Sequence, residues 1–291
     1  MGLYDAFRYE GKRVVVVGGA TGMGAAAAEV LLDSGASEIV VMDFADVTLA
    51  GVTSIRVNLA ERESIDAALA ECGGPVHALF SCAGVADGTP GIERINYVGH
   101  RYLVERMLAE GVLGRGSSVT FISSSAGLGW EPNFTQISEL LDLDDFATAA
   151  AWMRERNWAD YLHTKQAVCA FVARDSMRFL QAGVRLNALC PGPTDTPLAR
   201  ANEETWLGNG ADFRAEAGVD ASTPLEQAYP LVFLGSDAAG AVNGQTVVAD
   251  NGWFAAGMTH TFPAATGIAA FLQNRVPAGT RDGSPQAAAG L

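Results

Sequence analysis

The sequence predicts one α/β domain built on a doubly wound parallel sheet, with helices on both faces. Three observations predict this fold class. Short apolar stretches alternate with amphipathic ones from residue 13 to residue 252. The first of them, VVVV at 14–17, is unbroken, as in a strand buried on both faces. No boundary rich in Pro, Ser or charge divides the 291 residues, so we treat residues 1–291 as a single domain.

The elements follow in order along the chain. Residues 13–43 are predicted to form a strand, a glycine turn, a helix and a second strand. Similar units recur as GVTSIRVN with SIDAALAEC, VHALFSCAG with RYLVERMLAEG, SSVTFISSSAG with a helix near Tyr161, and VRLNALCPG, and GQTVVADNG supplies a late strand. Strands alternating with helices at this pace indicate βαβ units in one parallel sheet.

Two segments stand outside that alternation. Residues 131–160 predict two short amphipathic helices, the second beginning near Asp144 or Asp145 as its N-cap. Residues 253–291 form a C-terminal extension, in which GIAAFLQNR is a candidate helix and the final stretch is expected to be partly disordered.

The amino-acid composition excludes several classes of binding partner. A net charge of −14 argues against nucleic acid or an anionic membrane, because both attract basic surfaces. The four cysteines and four histidines show no metal-ligand spacing, so we expect no metal and four reduced thiols. No signal-like core and no run near ~18 apolar residues is present. A cytoplasmic protein with a small-molecule ligand is expected.

The glycine turn is the first candidate binding site. Gly18, Gly22 and Gly24 follow a strand and open a helix, a spacing that lets backbone amides approach a pyrophosphate. Thr21 and Met23 lie in the same turn and are expected to contact the cofactor with it. The alternative is a tight turn whose glycines serve packing only.

Asp43 ends the second strand nineteen positions after Gly24. A carboxylate there can accept hydrogen bonds from both hydroxyls of an adenine ribose and would repel a 2′-phosphate. Because DFADVT contains no Arg or Lys, NAD is favoured over NADP. The alternative is that Asp43 only stabilises the turn at the strand end.

YLHTK places Tyr161 and Lys165 four positions apart, on one face of a helix. The chain has six tyrosines but only two lysines, and every other basic residue except the histidines is arginine. A lysine kept at this position indicates a site that needs a compact ammonium rather than a planar guanidinium. His163 points away from Tyr161 and is expected to be a packed or surface residue.

Six motifs follow one another along the chain: the glycine turn, SCAG, INYVG, ISSSAG, YLHTK and LCPGPTDTPL. In this order they resemble the short-chain dehydrogenase/reductase family from about Gly11 to Gly252, and the resemblance implies a Rossmann-type fold. The chain departs from the family pattern at Val17, where the family has Thr, and at Ser81-Cys82, where it has Asn-Asn. The positions that resemble the family's cofactor-binding residues are the glycine turn, Asp43, Asn58, Leu59, Ala83, Gly84, Tyr161, Lys165, Pro191, Gly192, Thr194 and Thr196. Of the two threonines, Thr196 is preferred for holding the nicotinamide carboxamide, with Thr194 as the competitor.

The resemblance also implies the catalytic residues: Tyr161 as general acid/base, Lys165 as its neighbour, a serine that holds the substrate oxygen, and Asn96 as the ligand of a water leading to Lys165. Alignment of FISSSAG favours Ser124 over Ser123 and Ser125. Tyr161 needs a pKa well below 10 to act as a base near neutral pH, and we expect the Lys165 ammonium and oxidised nicotinamide to lower it. The alternative for Asn96 is a polar residue that bends its helix.

The distance from Ser124 to Tyr161, 37 positions, exceeds the family's usual spacing, so residues 131–160 are interpreted as an insertion. This pattern is similar to bacterial 3α-hydroxysteroid dehydrogenase/carbonyl reductases. The insertion is expected beside the helix face through which many family members form tetramers, which leaves a homodimer or a homotetramer open.

Residues 198–222 predict a substrate lid, with glycines for mobility and apolar side chains at Leu198, Trp206, Leu207 and Phe213. Trp130, Trp152 and Trp158 add aromatic surface near the insertion, unless they only form its core. We expect NAD-dependent interconversion of a bulky apolar secondary alcohol, such as a hydroxysteroid, and its ketone. The alternatives are aromatic or alicyclic alcohols as substrates, or a dinucleotide-sensing regulator without turnover.

Overall fold

The structure, a computed structural model, describes residues 2–272. Within them seven strands form one sheet in the order β3-β2-β1-β4-β5-β6-β7, and every neighbouring pair is parallel. The strands are β1 Arg13–Val17, β2 Glu38–Asp43, β3 Thr53–Arg56, β4 Val76–Ser81, β5 Leu113–Ile122, β6 Arg185–Pro191 and β7 Thr246–Ala249. The order reverses between β1 and β4, which opens a crevice at the carboxyl ends of these two strands. The predicted fold class is confirmed.

Helices cover both faces of the sheet, together with short 3₁₀ turns and a π-helical turn at Arg94–Val98. The α-helices are α1 Gly22–Asp33, α2 Arg62–Cys72, α3 Gly99–Ala109, α4 Phe134–Leu141, α5 Phe146–Glu155, α6 Tyr161–Gln181, α7 Pro197–Arg200, α8 Glu203–Trp206, α9 Ala211–Ala217, α10 Pro224–Gly235, α11 Trp253–Met258 and α12 Thr266–Leu272. Successive side chains of β1 point to opposite faces, so Val15 and Val17 join the core with α2, α3 and α6, while Val14 and Val16 join the core with α1 and α10. This two-sided burial explains the unbroken VVVV.

The insertion forms the two predicted helices, α4 and α5. Asp145 caps α5, with Oδ1 accepting the Thr148 amide at 2.8 Å, which confirms one of the two predicted N-caps. Ile137 and Leu140 pack into the core shared with α3 and α6. Arg101 of α3 is buried and donates to three backbone carbonyls of the insertion, those of Leu140, Leu141 and Leu143. The insertion is therefore docked on the α3/α6 face of its own chain.

The insertion tryptophans correct part of the substrate prediction. Trp152 is buried in the core and meets Trp158 edge-on, with ring centroids 5.3 Å apart. Trp158 in turn stacks on His163 at 4.6 Å. The prediction of substrate-facing surface is wrong for Trp152, which the insertion buries in its own core, whereas Trp158 is partly buried against that core. Trp130 is partly buried and packs edge-on against Phe134.

The C-terminal extension begins with α11 and continues to α12. Trp253, Phe262 and Ala265 form a small apolar cluster with Phe213 of the segment 198–222, the Phe213 and Phe262 rings being 5.4 Å apart. The first part of GIAAFLQNR lies in α12; the rest, and the stretch expected to be disordered, lie outside the described residues. None of the helices in residues 2–272 is long and apolar enough to cross a membrane.

Candidate active site

The glycine turn joins β1 to α1 where the sheet order reverses. Gly18 has φ of 84°, and a Cβ there would lie 2.3 Å from the Ala83 nitrogen. A Cβ on Gly24 would lie 2.0 Å from the Gly18 carbonyl oxygen. No side chain fits at either place, so these glycines do serve packing, as the alternative predicted. Their lack of side chains also lets the turn after β1 lie against the turn after β4.

The N-terminus of α1 opens into the same crevice. The amides of its first turn, Gly22 to Gly24, have no acceptor within the helix, and among the described residues the Thr21 side chain does not cap them. A helix N-terminus with free amides and a positive dipole suits a phosphate group. A Cβ built on Gly22 would be 3.5 Å from the Thr196 methyl carbon, so the glycine turn and Thr196 face one another. The residues fit a dinucleotide.

Asp43 lies at the end of β2 and stabilises this turn. Its Oδ2 accepts the Ala20 amide and its Oδ1 the Ala45 amide, both at 2.8 Å. The predicted alternative, a turn-holding residue, is therefore present. Both roles are compatible, since a carboxylate has about four lone-pair positions and only two are used.

A basic side chain from outside the segment DFADVT lies next to Asp43. Arg56 of β3 is in register with Asp43, and its guanidinium lies over the Phe44 ring, 5.0 Å from the centroid. The sequence offered no signal for this, because the two residues meet only through strand pairing.

Asn58 and Leu59 follow β3. The Asn58 side chain accepts the Ala60 amide at 3.1 Å, and Leu59 is buried in the core. Ala83 and Gly84 follow β4, and the Ala83 amide donates to Val17. A Cβ on Gly84 would lie 3.6 Å from both Lys165 Nζ and Asn96 Oδ1. Gly84 therefore joins the crevice to the candidate catalytic residues.

Tyr161 begins α6 and lies beside Ser124, which follows β5. The Ser124 side chain lies close enough to the Tyr161 phenol to lower its pKa. Lys165 is buried one turn along α6, with Nζ 5.5 Å from the Tyr161 ring centroid and donating to the Ile122 carbonyl at 3.0 Å. The structure thus brings the predicted serine, tyrosine and lysine into one group.

The pKa of Tyr161 moves opposite to the expectation. Burial raises it to about 12, the neighbouring Ser124 side chain lowers it, and the charge of Asp87 raises it. Burial also lowers the pKa of Lys165 to about 8, against an opposite effect of nearby cysteine sulfurs. Lys165 does not bring the Tyr161 pKa below 10 here, because desolvation of the phenol is the larger effect.

The three adjacent serines, Ser123 to Ser125, differ in their hydrogen-bond partners. Ser123 is buried and donates to the Lys165 carbonyl at 2.9 Å, while Ser124 accepts the Ala126 amide and reaches Tyr161. Ser125 starts the following 3₁₀ turn. The geometry favours the predicted Ser124.

Asn96 lies in the π-helical turn before α3, and both ends of its amide bind the backbone of Val85, at 2.8 and 2.9 Å. Its Nδ2 is also 3.5 Å from the Thr164 hydroxyl. The side chain therefore holds the loop after β4 in place. This is a structural role, as is the alternative of a polar residue that bends its helix. The water-binding role stays a prediction.

Pro191 ends β6, and Gly192 passes so close to Asp250 that a Cβ would lie 2.6 Å from the Asp250 Cβ. Thr194 donates its hydroxyl proton to the Gly192 carbonyl at 3.0 Å. Thr196 instead accepts the Ala199 amide as N-cap of α7, which leaves its hydroxyl proton able to donate. This difference supports the preference for Thr196.

The predicted lid contains three short helices, α7, α8 and α9. Trp206 of α8 packs against Tyr161, with ring centroids 4.8 Å apart. Phe213 instead packs into the C-terminal cluster with Phe262. One predicted lid residue therefore contacts the candidate catalytic tyrosine, and another anchors the lid to the extension.

Two further residues escaped the sequence analysis. Asp87, in the loop after β4, accepts the Tyr161 backbone amide at 2.6 Å, although 74 positions separate the two residues. Thr164 is buried and donates to the Tyr161 carbonyl at 2.8 Å.

His163 pairs with Asp160, the N-cap of α6, and stacks on Trp158, which confirms its packed role. Within residues 2–272 there is no cluster of His, Cys, Asp and Glu that could hold a metal ion.

The chain is similar to known oxidoreductases. A family model described as enoyl-(acyl carrier protein) reductase matches residues 145–254. The 3-alpha-hydroxysteroid dehydrogenase/carbonyl reductase of Comamonas testosteroni is 31% identical, over 82% of this chain and 95% of that protein. The coniferyl-alcohol dehydrogenase of Pseudomonas sp. (strain HR199 / DSM 7063) is 27% identical, over 83% and 96%.

Among solved structures, the 3-alpha-hydroxysteroid dehydrogenase of Pseudomonas sp. B-0831 complexed with NADH superposes with a TM-score of 0.69 at 23% identity, covering 86% of this chain and 99% of that one. This likeness supports the fold.

Proposed function

The chain belongs to the short-chain dehydrogenase/reductase family, and from this premise we propose that it interconverts a secondary alcohol and a ketone with NAD as its cofactor. The observation that carries the proposal is the grouping of Ser124, Tyr161 and Lys165: Lys165 is buried, with Nζ 5.5 Å from the Tyr161 ring centroid, and Ser124 lies next to the phenol. A dinucleotide-binding regulator has no use for these three side chains together.

The chain's own residues account for binding and proton transfer. The free amides at the start of α1 would hold the pyrophosphate, Asp43 the adenine ribose, and Thr196 the carboxamide. The nicotinamide, when bound, supplies the acceptor or donor of the hydride. The Ser124 hydroxyl and Tyr161 phenol would orient the substrate oxygen, and Trp206 would keep water from it.

Tyr161 would move the proton. With a pKa near 12 the phenol is protonated at neutral pH, so it is ready to donate a proton to a ketone oxygen. In the oxidative direction a phenolate must accept the alcohol proton, so the rate of alcohol oxidation rises with pH. The buried Lys165 ammonium lies under the ring and stabilises that phenolate as it forms.

The substrate class we propose is a bulky apolar alcohol, a hydroxysteroid being one instance. Trp206 on Tyr161 supplies aromatic surface at the site, and the name of the Comamonas testosteroni relative agrees with this class. Aromatic alcohols are the second candidate substrate class, because another relative is named a coniferyl-alcohol dehydrogenase. Turnover of a panel of steroid, aromatic and alicyclic alcohols with NAD separates the two.

Replacing Tyr161 tests the enzymatic assignment against the sensor alternative. Tyr161→Phe removes the proton donor and is expected to lower kcat/KM by about 10²–10⁴-fold while NAD binding is retained. Tyr229→Phe, at an exposed position of α10, is the control and should keep wild-type rates. Full activity in Tyr161→Phe would contradict the mechanism, and NAD binding without turnover of any alcohol in the wild-type protein would favour the sensor.

The NAD preference is tested by pairing Asp43 with Arg56. Asp43→Ser removes the carboxylate that repels a 2′-phosphate, and Arg56 on the neighbouring strand is then placed to receive it. We expect Asp43→Ser to gain activity with NADP and Asp43→Ser/Arg56→Leu to lose that gain. Wild-type protein that prefers NADP would contradict the assignment.

We also propose a homodimer in the cytoplasm. The insertion covers the α3/α6 face, which many members of the family use to form tetramers, and it is held there by buried polar contacts of Arg101. The four cysteines, all within the described part of the chain, are free thiols, which suits a reducing compartment.

A further inference from the structure

Asp87 lies at the N-terminus of the catalytic helix without belonging to it. It is exposed, in the loop that follows β4, and its Oδ1 accepts the backbone amide of Tyr161 at 2.6 Å. That amide is the first of α6 and has no acceptor within the helix. The N-cap Asp160 uses its own carboxylate on the His163 amide and ring, so it leaves the Tyr161 amide to Asp87.

The loop that carries Asp87 also borders the cofactor crevice. It begins with Cys82, Ala83 and Gly84, and Asn96 holds Val85 through both backbone groups. Asp87 is the next charged residue along the loop. Its bond to Tyr161 therefore joins the wall of the dinucleotide crevice to the start of the helix that carries Tyr161 and Lys165.

We propose that Asp87 is a positioning residue: its carboxylate holds the Tyr161 amide and so sets where the phenol lies. The inference rests on the proposed function, because it assigns a role within that reaction. It extends the proposal by naming a group, remote in sequence, that positions the phenol and contributes to the pH dependence of the reaction.

The other groups around the Tyr161 phenol come from several elements. They are Ser124 after β5, Cys190 on β6, Trp206 on α8 and Lys165 on α6. The Asp160 carboxylate at the start of α6 is paired with His163. Cys190 is buried, and its pKa is raised by its contact with Cys169 and by burial, so it is a neutral thiol near neutral pH. Asp87 is thus the carboxylate that acts on the phenol, and its charge raises the pKa of Tyr161.

Two substitutions separate the bond from the charge. Asp87→Asn keeps an oxygen acceptor for the Tyr161 amide but removes the charge, whereas Asp87→Ala removes both. In the pH profile of kcat/KM for alcohol oxidation, we expect the acid limb of Asp87→Asn to move about 0.5 pH unit lower, a small shift because the carboxylate is exposed and screened. In Asp87→Ala we expect kcat to fall about tenfold as well, because the helix start is no longer held.

Salt provides a second readout. High ionic strength screens the exposed carboxylate, so the acid limb of the wild-type protein should move toward that of Asp87→Asn, while the Asp87→Asn profile should change little. Asp33→Asn, at the exposed end of α1, is the matched control for loss of one negative charge and should keep the wild-type profile.

The phenol can also be titrated directly, by NMR of protein carrying ¹³C-labelled tyrosine, with Tyr161 assigned through Tyr161→Phe. This measurement needs no turnover. A wild-type protein without activity but with a lower Tyr161 titration in Asp87→Asn would overturn the proposed function and keep the role of Asp87. An unchanged acid limb and unchanged phenol titration in Asp87→Asn, or equal loss of kcat in Asp87→Asn and Asp87→Ala, would overturn the inference.

Discussion

At the scale of single residues, three adjacent serines divide three tasks. Ser123 points into the core and supports the backbone of Lys165, Ser124 faces the phenol, and Ser125 begins a 3₁₀ turn. Alternation along the end of β5 produces this division, since successive side chains of an extended chain point to opposite sides.

The serines can be told apart by substitution. Ser124→Ala should lower kcat by about 10²–10³-fold with little loss of stability, because it removes a donor to the substrate oxygen. Ser123→Ala should keep most activity and lower the free energy of unfolding by about 1 kcal/mol, the usual value of one buried hydrogen bond. Ser125→Ala should change neither. Kinetics and urea unfolding measure both effects, and a catalytic defect confined to Ser125→Ala would contradict the assignment.

The grouping of the candidate catalytic residues was predictable from motifs, whereas properties that depend on the surroundings of each side chain were not. Tyr161, Lys165 and Ser124 could be identified from spacing and resemblance. The direction of the Tyr161 pKa shift could not, because it depends on how much water the fold removes from the phenol. Asp87 and Arg56 were missed because no local pattern joins them to Tyr161 and Asp43.

At the scale of elements, the insertion is attached to the domain through a buried arginine. The Arg101 guanidinium donates to the carbonyls of Leu140, Leu141 and Leu143, which lie in the last turn of α4 and just after it. The sequence predicted α4 and α5 and the Asp145 cap from local signals. It did not predict this bond, which pairs residues about forty positions apart.

Removing Arg101 should loosen the insertion. Arg101→Leu removes three hydrogen bonds of a buried guanidinium, and we expect the free energy of unfolding to fall by about 3 kcal/mol, about 1 kcal/mol for each bond. The Leu140 carbonyl keeps the Leu143 amide and the Leu141 carbonyl keeps Arg174, so only the Leu143 carbonyl loses its donor altogether. Arg156→Leu, which breaks a solvent-exposed pair with Glu139, should cost less than about 1 kcal/mol. Urea unfolding measures both. Equal losses in the two variants would show that the carbonyl contacts of Arg101 contribute little.

At the scale of the whole molecule, a buried histidine links stability to pH. His100 of α3 is buried, with Nδ1 2.5 Å from the Ser81 hydroxyl and Nε2 3.0 Å from the Ala83 carbonyl oxygen. Burial lowers its pKa from 6.5 to about 4. Between these values the unfolded chain binds a proton that the folded chain does not, so stability is lost as pH falls from about 6.5 toward 4.

Unfolding at two pH values tests this linkage. Between pH 7 and pH 5, His100 should account for a loss of about 2 kcal/mol in the free energy of unfolding. His100→Gln is expected to be less stable at pH 7, but to lose correspondingly less on acidification. His77→Gln, on the exposed side of β4, should keep the wild-type dependence. A wild-type slope retained in His100→Gln would contradict the assignment.

Assembly is the second property of the whole molecule. Since the insertion occupies the α3/α6 face of its own chain, we expect light scattering to give the mass of two chains. The mass should stay the same across a tenfold range of protein concentration. A mass of four chains would mean that the insertion does not block the tetramer contact.

The sequence by itself determined the fold class, the order of the strands and helices, the glycine turn and the identity of the candidate catalytic residues, because apolar periodicity, caps and motif spacing are local. Only the tertiary structure decided that the insertion buries Trp152, that Trp206 packs on Tyr161, that Asp87 holds the Tyr161 amide, and that the phenol's pKa is raised. These outcomes depend on desolvation and on contacts between residues far apart in the chain, which no local pattern encodes.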